Sequence, residues 1–163
     1  MDRSSIQLLA PSNEEDKEWL RNLWITEWGG ELMISRGRQF YLQDVEAVVA
    51  WADGVRVGAA TYQVRRDESE LTSLNVMTSG QGIGSALLAA VEQLVKQAGE
   101  NRFIIITTND NMDALRFYQR LGYRISSIYI DAVTESRKSK PSIPLLGYYH
   151  IPIRDEIELE KML

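Results

Sequence analysis

Apolar and polar positions along the chain fall into blocks whose period switches between that of a strand and that of a helix. Ile6 to Leu9 reads as a short strand. Ser12 then stands three residues before Glu15, a capping-box spacing that predicts a helix start. Behind it Leu20, Leu23, Trp24 and Trp28 recur at helical spacing, and Gly29-Gly30 ends the run. The stretch AVVAWADGVRVGAATYQVRR carries Asp53-Gly54 between two apolar runs, which predicts a β-hairpin. SELTSLNV, ending at Val76, is a further strand. From Ser85 onward Leu87, Val91, Leu94, Val95 and Ala98 share one helical face, closed by Gly99. FIIIT is continuously apolar, as a strand buried on both faces would be. NDNMDALRFYQRLG predicts a second helix, with Ala114, Phe117, Tyr118 and Leu121 on one face and Gly122 as its stop. YRISSIYI is strand-like, residues 131–155 form a polar, Pro-bearing excursion, and EIELEKML alternates as a last strand.

The order β-α-β-β-β-α-β-α-β-loop-β predicts an α/β protein with a mixed rather than purely parallel sheet. No internal repeat, low-complexity tract or linker interrupts it, so residues 1–163 are expected to form one domain.

Gly80, Gly82 and Gly84 sit where a strand meets a helix start. A Gly-rich strand-to-helix turn is a ready anion site, because unpaired N–H groups and the helix dipole converge there. A phosphate-binding Walker loop would need Lys-Ser/Thr after the last glycine, and Ser85-Ala86 stand there instead. A dinucleotide fingerprint would put Leu87 or Ser85 where it needs its third glycine. A tight turn with no ligand stays open on this pattern alone.

Composition narrows the chemistry. There is no cysteine, which excludes disulfides, thiolate metal sites and cysteine nucleophiles. The single histidine, His150, argues against a histidine metal cluster and reads as a surface-loop residue; no metal is expected. A net charge of −5 argues against non-specific nucleic-acid binding. The N-terminal stretch lacks an apolar leader core and turns acidic at once, and no apolar run is long enough to span a bilayer. A cytoplasmic location without membrane attachment is the default expectation.

Val76, Gln81, Gly84 and Ala86 match the V-x-x-x-x-Q/R-x-x-G-x-G/A spacing of the acetyl-CoA loop in the GNAT family of N-acetyltransferases. GQGIGSALL also resembles the family's RGKGIGSALL, a second register in which the loop is two residues short and Ser79 takes the Q/R position. NDNMDALRFYQRLGY is similar to the family's N-x-x-A-x-x-F-Y-x-x-x-G-F/Y segment, with Asn111, Ala114, Phe117, Tyr118, Gly122 and Tyr123 matching. The resemblance covers Glu46 to Ile130; residues 131–155 have no counterpart in the shared motifs.

It implies a GNAT-like fold, a mixed central sheet splayed at the acetyl-CoA site and flanked by helices. It implies acetyl-CoA as cosubstrate and an amine of a small molecule or peptide as acceptor, attacking the thioester directly. Homodimers are common in the family. Both registers place Gly80, Gln81, Gly82, Ile83, Gly84 and Ser85 around the pyrophosphate. Backbone N–H groups of Leu74, Asn75 and Val76 would meet the acetyl carbonyl. Glu70 lies where some members carry a base; strand parity puts it on the face of Thr72, Leu74 and Val76, and a solvated rim carboxylate is the alternative. Glu68 is the weaker candidate. Tyr118 matches the family's acid for the leaving thiolate and can also pack as a core residue. Asn111 either caps its helix or touches CoA. Trp24 and Trp28 belong to the core or line the acceptor pocket, and Arg137 or Lys138 could meet an anionic group. A non-catalytic acyl-CoA-binding regulator on the same fold and a nucleotide-dependent oxidoreductase are the competing functions.

Overall fold

The computed structural model describes residues 5–163. Residues 1–4, where the segment read as carrying no leader begins, lie outside the described residues. One seven-stranded sheet runs through the molecule in the order β1-β4-β5-β6-β7-β9-β8. Its strands are β1 (Ile6–Leu9), β4 (Glu46–Ala52), β5 (Val55–Gln63), β6 (Ser69–Val76), β7 (Arg102–Thr108), β8 (Arg124–Tyr129) and β9 (Glu156–Met162). All neighbours are antiparallel except β6 and β7. The sheet is therefore mixed, as the element order predicts.

Helices α2 (Ile83–Gln97) and α3 (Met112–Arg120) cover one face. There Leu87, Val91, Val95, Phe103, Ile105, Tyr118 and Leu159 form the main core. Leu94, expected on the buried face of α2, is partly exposed, and Ile83 and Leu88 are buried instead. Helix α1 (Glu14–Trp28) covers the other face through Leu20 and Leu23 against Val49 and Ala59. FIIIT is buried as expected, because a helix-bearing layer lies on each side of it. At the Asp53-Gly54 turn both residues have positive φ, the two-residue geometry that suits a hairpin's twist.

Three local features depart from the sequence reading. The cap of α1 sits one residue later: Asn13 Oδ1 accepts from the Asp16 N–H at 2.9 Å, and Asp16 reaches back to the Ser12 N–H at 3.0 Å. The chemistry is that of a capping box, with Asn and Asp in place of Ser and Glu. A second hairpin, β2 (Leu32–Ser35) and β3 (Arg38–Tyr41), follows α1. Its turn is Arg36-Gly37, both with positive φ. Arginine in the left-handed region is not a turn signal, so the hairpin is invisible in the sequence. Residues 131–155 are not a bare loop: α4 (Ala132–Ser139) opens them, and β9 inserts between β7 and β8.

Candidate functional site

The site begins where β6 and β7 part. They pair at Ser69↔Phe103, Glu70↔Ile104 and Leu71↔Ile105 and no further. Beyond that, β6 stays with β5 to Val76, and β7 stays with β9 to Thr108. At the parting point β6 carries a bulge. Thr61 faces Ser73 and Tyr62 faces Leu71, which leaves Thr72 as the extra residue. The Thr61 hydroxyl meets those of both Thr72 and Ser73.

The bulge reverses strand parity, so the expected grouping of Glu70 with Leu74 and Val76 is wrong. Leu71, Leu74 and Val76 pack on the α2 core. Ser73 and Asn75 face α1, accepting from the indoles of Trp24 at 3.3 Å and Trp28 at 3.2 Å. Glu70 shares that second face. Trp24 is fully buried in the core, whereas Trp28 lines the cleft.

Backbone direction sorts the residues expected at the acetyl group. The Met77 N–H donates to Val57 O on β5 at 2.8 Å. Successive N–H groups along a strand point to opposite edges, so Asn75 also faces β5 while Leu74 and Val76 face the open edge. Of the expected donors, Leu74 and Val76 are free to serve. Asn75 offers only its side chain, already engaged by Trp28.

Six residues link β6 to α2, from Met77 to Gly82. Gly80 and Gly82 have φ of 81° and 74°, which favours glycine. Gly82 caps α2 without any side-chain hydrogen bond, and the first intrahelical bond runs from the Ala86 N–H to Gly82 O. The N–H groups of Ile83, Gly84 and Ser85 therefore have no intrahelical acceptor. Gly84 is needed for another reason than close ligand approach. A Cβ there would stand 3.3 Å from the Phe117 ring and 3.5 Å from Val76. Gly84→Val should therefore lower stability by about 1–3 kcal/mol through overpacking of α2 against α3. Thermal melting without ligand checks this; an unchanged melting temperature with lost CoA affinity would return Gly84 to a pure ligand role.

A cleft of about 640 Å³ runs from the splay toward α4. Tyr118 lines it from α3 and is 8 % exposed, its ring edge-on to Phe117 and Tyr123. Burial raises its pKa well above the ordinary tyrosine value. Asn111 lines the cleft and also caps α3, accepting from the Ala114 N–H at 3.2 Å. The opposite wall is apolar, with Met33, Ile34, Phe40, Ile143 and Ile153. A second depression of about 790 Å³ near Gln39 and Leu94 is lined by neither Tyr118 nor Glu70.

The cleft floor, lined by Glu70 and Glu156, rests on a charge network that the sequence did not announce. Arg36 reaches Glu68 at 3.0 Å, Glu70 at 3.1 Å and Glu158 at 3.2 Å. Arg38 adds contacts to Glu68 and Glu70, and Arg102 to Glu68, Glu158 and Glu160. Burial pushes Glu70 above the usual carboxylate range, and Arg36 only partly offsets it. Glu68 moves the other way, held low by Arg36. That makes it a weak proton acceptor.

The 131–155 excursion roofs the cleft. Lys140 Nζ donates to Trp28 O at 2.7 Å and Leu32 O at 2.6 Å, supplying the cation that the last turn of α1 lacks. Arg137 spends its guanidinium on the carbonyls of Ile143, Pro144 and Ile153, and Lys138 forms an exposed pair with Glu135 outside the cleft lining. Gly147 lies so close to Asp110 that a Cβ could not fit, and the Tyr148 N–H donates to Asp110 at 3.0 Å. His150 lies exposed in a turn, as expected.

A splayed mixed sheet with a glycine-capped helix at its mouth defines a class of acyl-group transferases. The family model for the Acetyltransferase (GNAT) family matches residues 13–123, and the chain belongs to that family. It is an N-acetyltransferase by that membership, which sets aside the oxidoreductase. The uncharacterised Bacillus subtilis protein YdhI is 36% identical over 97% of this chain and 99% of its own. An IAA acetyltransferase from Bacillus cereus superposes with a TM-score of 0.75 at 25% identity, over 98% of this chain and 100% of that one. A GNAT acetyltransferase from Elizabethkingia anophelis with acetyl-CoA bound superposes at 0.74 with 19% identity, covering 99% and 100%.

Proposed function

We propose that residues 1–163 form one cytoplasmic domain that transfers the acetyl group of acetyl-CoA to a primary amine by direct attack. One observation carries this: the unpaired N–H groups at the start of α2 follow on the end of β6, the strand that separates from its parallel neighbour β7 beyond Leu71. Gly80 to Ser85 receive the pyrophosphate there, the pantetheine arm follows the free edge of β6, and Leu74 and Val76 donate to the carbonyl oxygen as charge develops on it. Tyr118 donates to the departing sulfur. The carboxylates of the floor take the amine's proton. The acceptor is a small molecule or a peptide terminus whose cation meets that floor and whose apolar body meets Met33, Ile34 and Phe40. Nothing in the described residues resembles a membrane-spanning helix or a carboxylate–histidine metal cluster.

The test is acetyl-CoA turnover, read as CoA release, against a panel of aryl-alkylamines, diamines and short peptides. Turnover with at least one class is expected. Tight CoA binding with no turnover on any amine would instead favour a regulatory acyl-CoA sensor.

A further inference from the structure

The floor holds four carboxylates in close company, Glu68, Glu70, Glu156 and Glu158, and they are not equivalent. Strand registers place Glu70, Glu156 and Glu158 on one face. Glu70 stands beside Ile104 on β7, and β9 sets Glu160, Glu158 and Glu156 opposite Ile104, Ile106 and Thr108. Glu70 accepts from two guanidinium groups, those of Arg36 and Arg38. Glu158 accepts from Arg36, Arg102, Ser126 and Tyr129. Glu156 is 3 % exposed and lines the cleft, yet its only hydrogen-bond partner among the described residues is the backbone N–H of Arg36, at 3.3 and 3.1 Å from its two oxygens. It is a buried carboxylate without a cationic side chain, an arrangement that costs stability unless something else supplies the charge.

Ser35 provides a second sign. Its hydroxyl is buried, lines the same cleft and closes no well-formed hydrogen bond; the acceptor it leans toward is Glu70, whose pKa it lowers. A cationic nitrogen entering the cleft there would donate to the Ser35 oxygen as well as to Glu156.

We propose that Glu156, rather than Glu70, binds the acceptor ammonium and takes its proton, while Glu70 is a positioning residue that holds Arg36 in place. The inference rests on the N-acetyltransferase reading above. The ammonium gives one proton to the Glu156 carboxylate, which later passes it to solvent. The freed lone pair forms the C–N bond at the thioester carbon. As the C–S bond breaks, its electron pair stays on sulfur. The second nitrogen proton leaves the nascent amide to solvent, the thiolate takes a proton from Tyr118, and Tyr118 recovers one from solvent, so that one net proton is released.

The charged and titratable neighbours of Glu156 favour this role. Arg36 faces it from the β2–β3 turn, Glu70 from β6, Tyr129 from β8 and Glu158 from its own strand. Burial raises its pKa most, the Glu70 charge raises it further, and Arg36 opposes both. A carboxyl so placed is a better proton acceptor than one neutralised by two guanidiniums.

The experiment compares pH profiles of kcat/KM for wild type, Glu156→Gln, Glu156→Asp and Glu70→Gln, using the best amine of the panel, with melting temperatures alongside. Glutamine can still accept from the Arg36 N–H, so Glu156→Gln should melt no lower than wild type at neutral pH. Its turnover should fall by about a hundredfold, within the usual range for a lost general base, and the acid-side limb should vanish. Glu156→Asp should restore the limb at reduced rate. Glu70→Gln should keep the limb and move it to lower pH, because a like charge beside Glu156 is gone. An active wild type whose Glu156→Gln variant keeps the native profile overturns the inference, as does loss of the limb in Glu70→Gln alone. A wild type inactive on every amine overturns the underlying reading as well.

Discussion

Tyr118→Phe is expected to leave folding and acetyl-CoA binding near wild type and to lower turnover by about a hundredfold, equivalent to about 2.7 kcal/mol of barrier. The phenylalanine keeps the ring contacts with Phe117 and Tyr123, whose centroids lie 5.3 Å and 6.0 Å away. Only the hydroxyl is lost. An ordinary tyrosine holds its proton more tightly than a thiol, with pKa values of about 10 and about 8.5. Burial raises Tyr118 further, so it stays protonated throughout any assay and acts by donating to charge that develops on sulfur in a poorly solvated cleft. The loss should therefore shrink with an acyl donor whose thiol is more acidic. Steady-state turnover with the two donors, set beside thermal melting, checks this. A variant that melts low without losing turnover selectively would make Tyr118 a core residue alone.

Arg36→Met is expected to destabilise the protein by about 3–5 kcal/mol at pH 7, the cost of leaving buried carboxylates without their counter-charge. Arg36 is the hub: its guanidinium reaches Glu68, Glu70 and Glu158, its side chain is only 16% exposed, and its backbone N–H serves Glu156. The pH dependence follows from the directions of shift. Glu68 is held low by Arg36, so its contribution to wild-type stability is present at neutral pH and fades as pH falls through its depressed pKa. Glu70 and Glu156 are raised, so their ionisation opposes folding as pH rises, and more so once Arg36 is gone. Between pH 7 and pH 5 Glu68 keeps its charge, since its depressed pKa lies below that window, so acidification relieves both proteins through Glu70 and Glu156, and the variant more. Chemical denaturation at pH 7 and pH 5 should show the gap between them narrowing. A gap that is constant, or that widens in acid, would mean the network is held by contacts other than charge.

Local patterning alone determined much of this protein. The hairpin at Asp53-Gly54, the glycine loop, the amphipathic faces of α2 and α3 and the buried run of β7 all rest on contacts a few residues apart or on one residue's backbone preference. Those same stretches carry the proposed acetyl-CoA loop and Tyr118, so that half of the candidate site could be proposed from the sequence. Glu70 was found, but on the wrong face: a bulge depends on the partner strand, and one extra residue at Thr72 reverses every side chain beyond it.

The acceptor half belongs to the tertiary structure. Arg36 gave no turn signal, and Glu156, Glu158 and Glu160 alternate along β9 as an ordinary solvated face would. They become a buried floor only because β9 threads between β7 and β8 and the Arg36-Gly37 turn folds onto it, contacts about 120 residues apart in the chain. Likewise, Lys140 looks like one more charge in a polar run until the roof brings it to the end of α1. Burial turns surface-type residues into functional ones by removing their water, and what covers a residue is decided by elements far away in sequence.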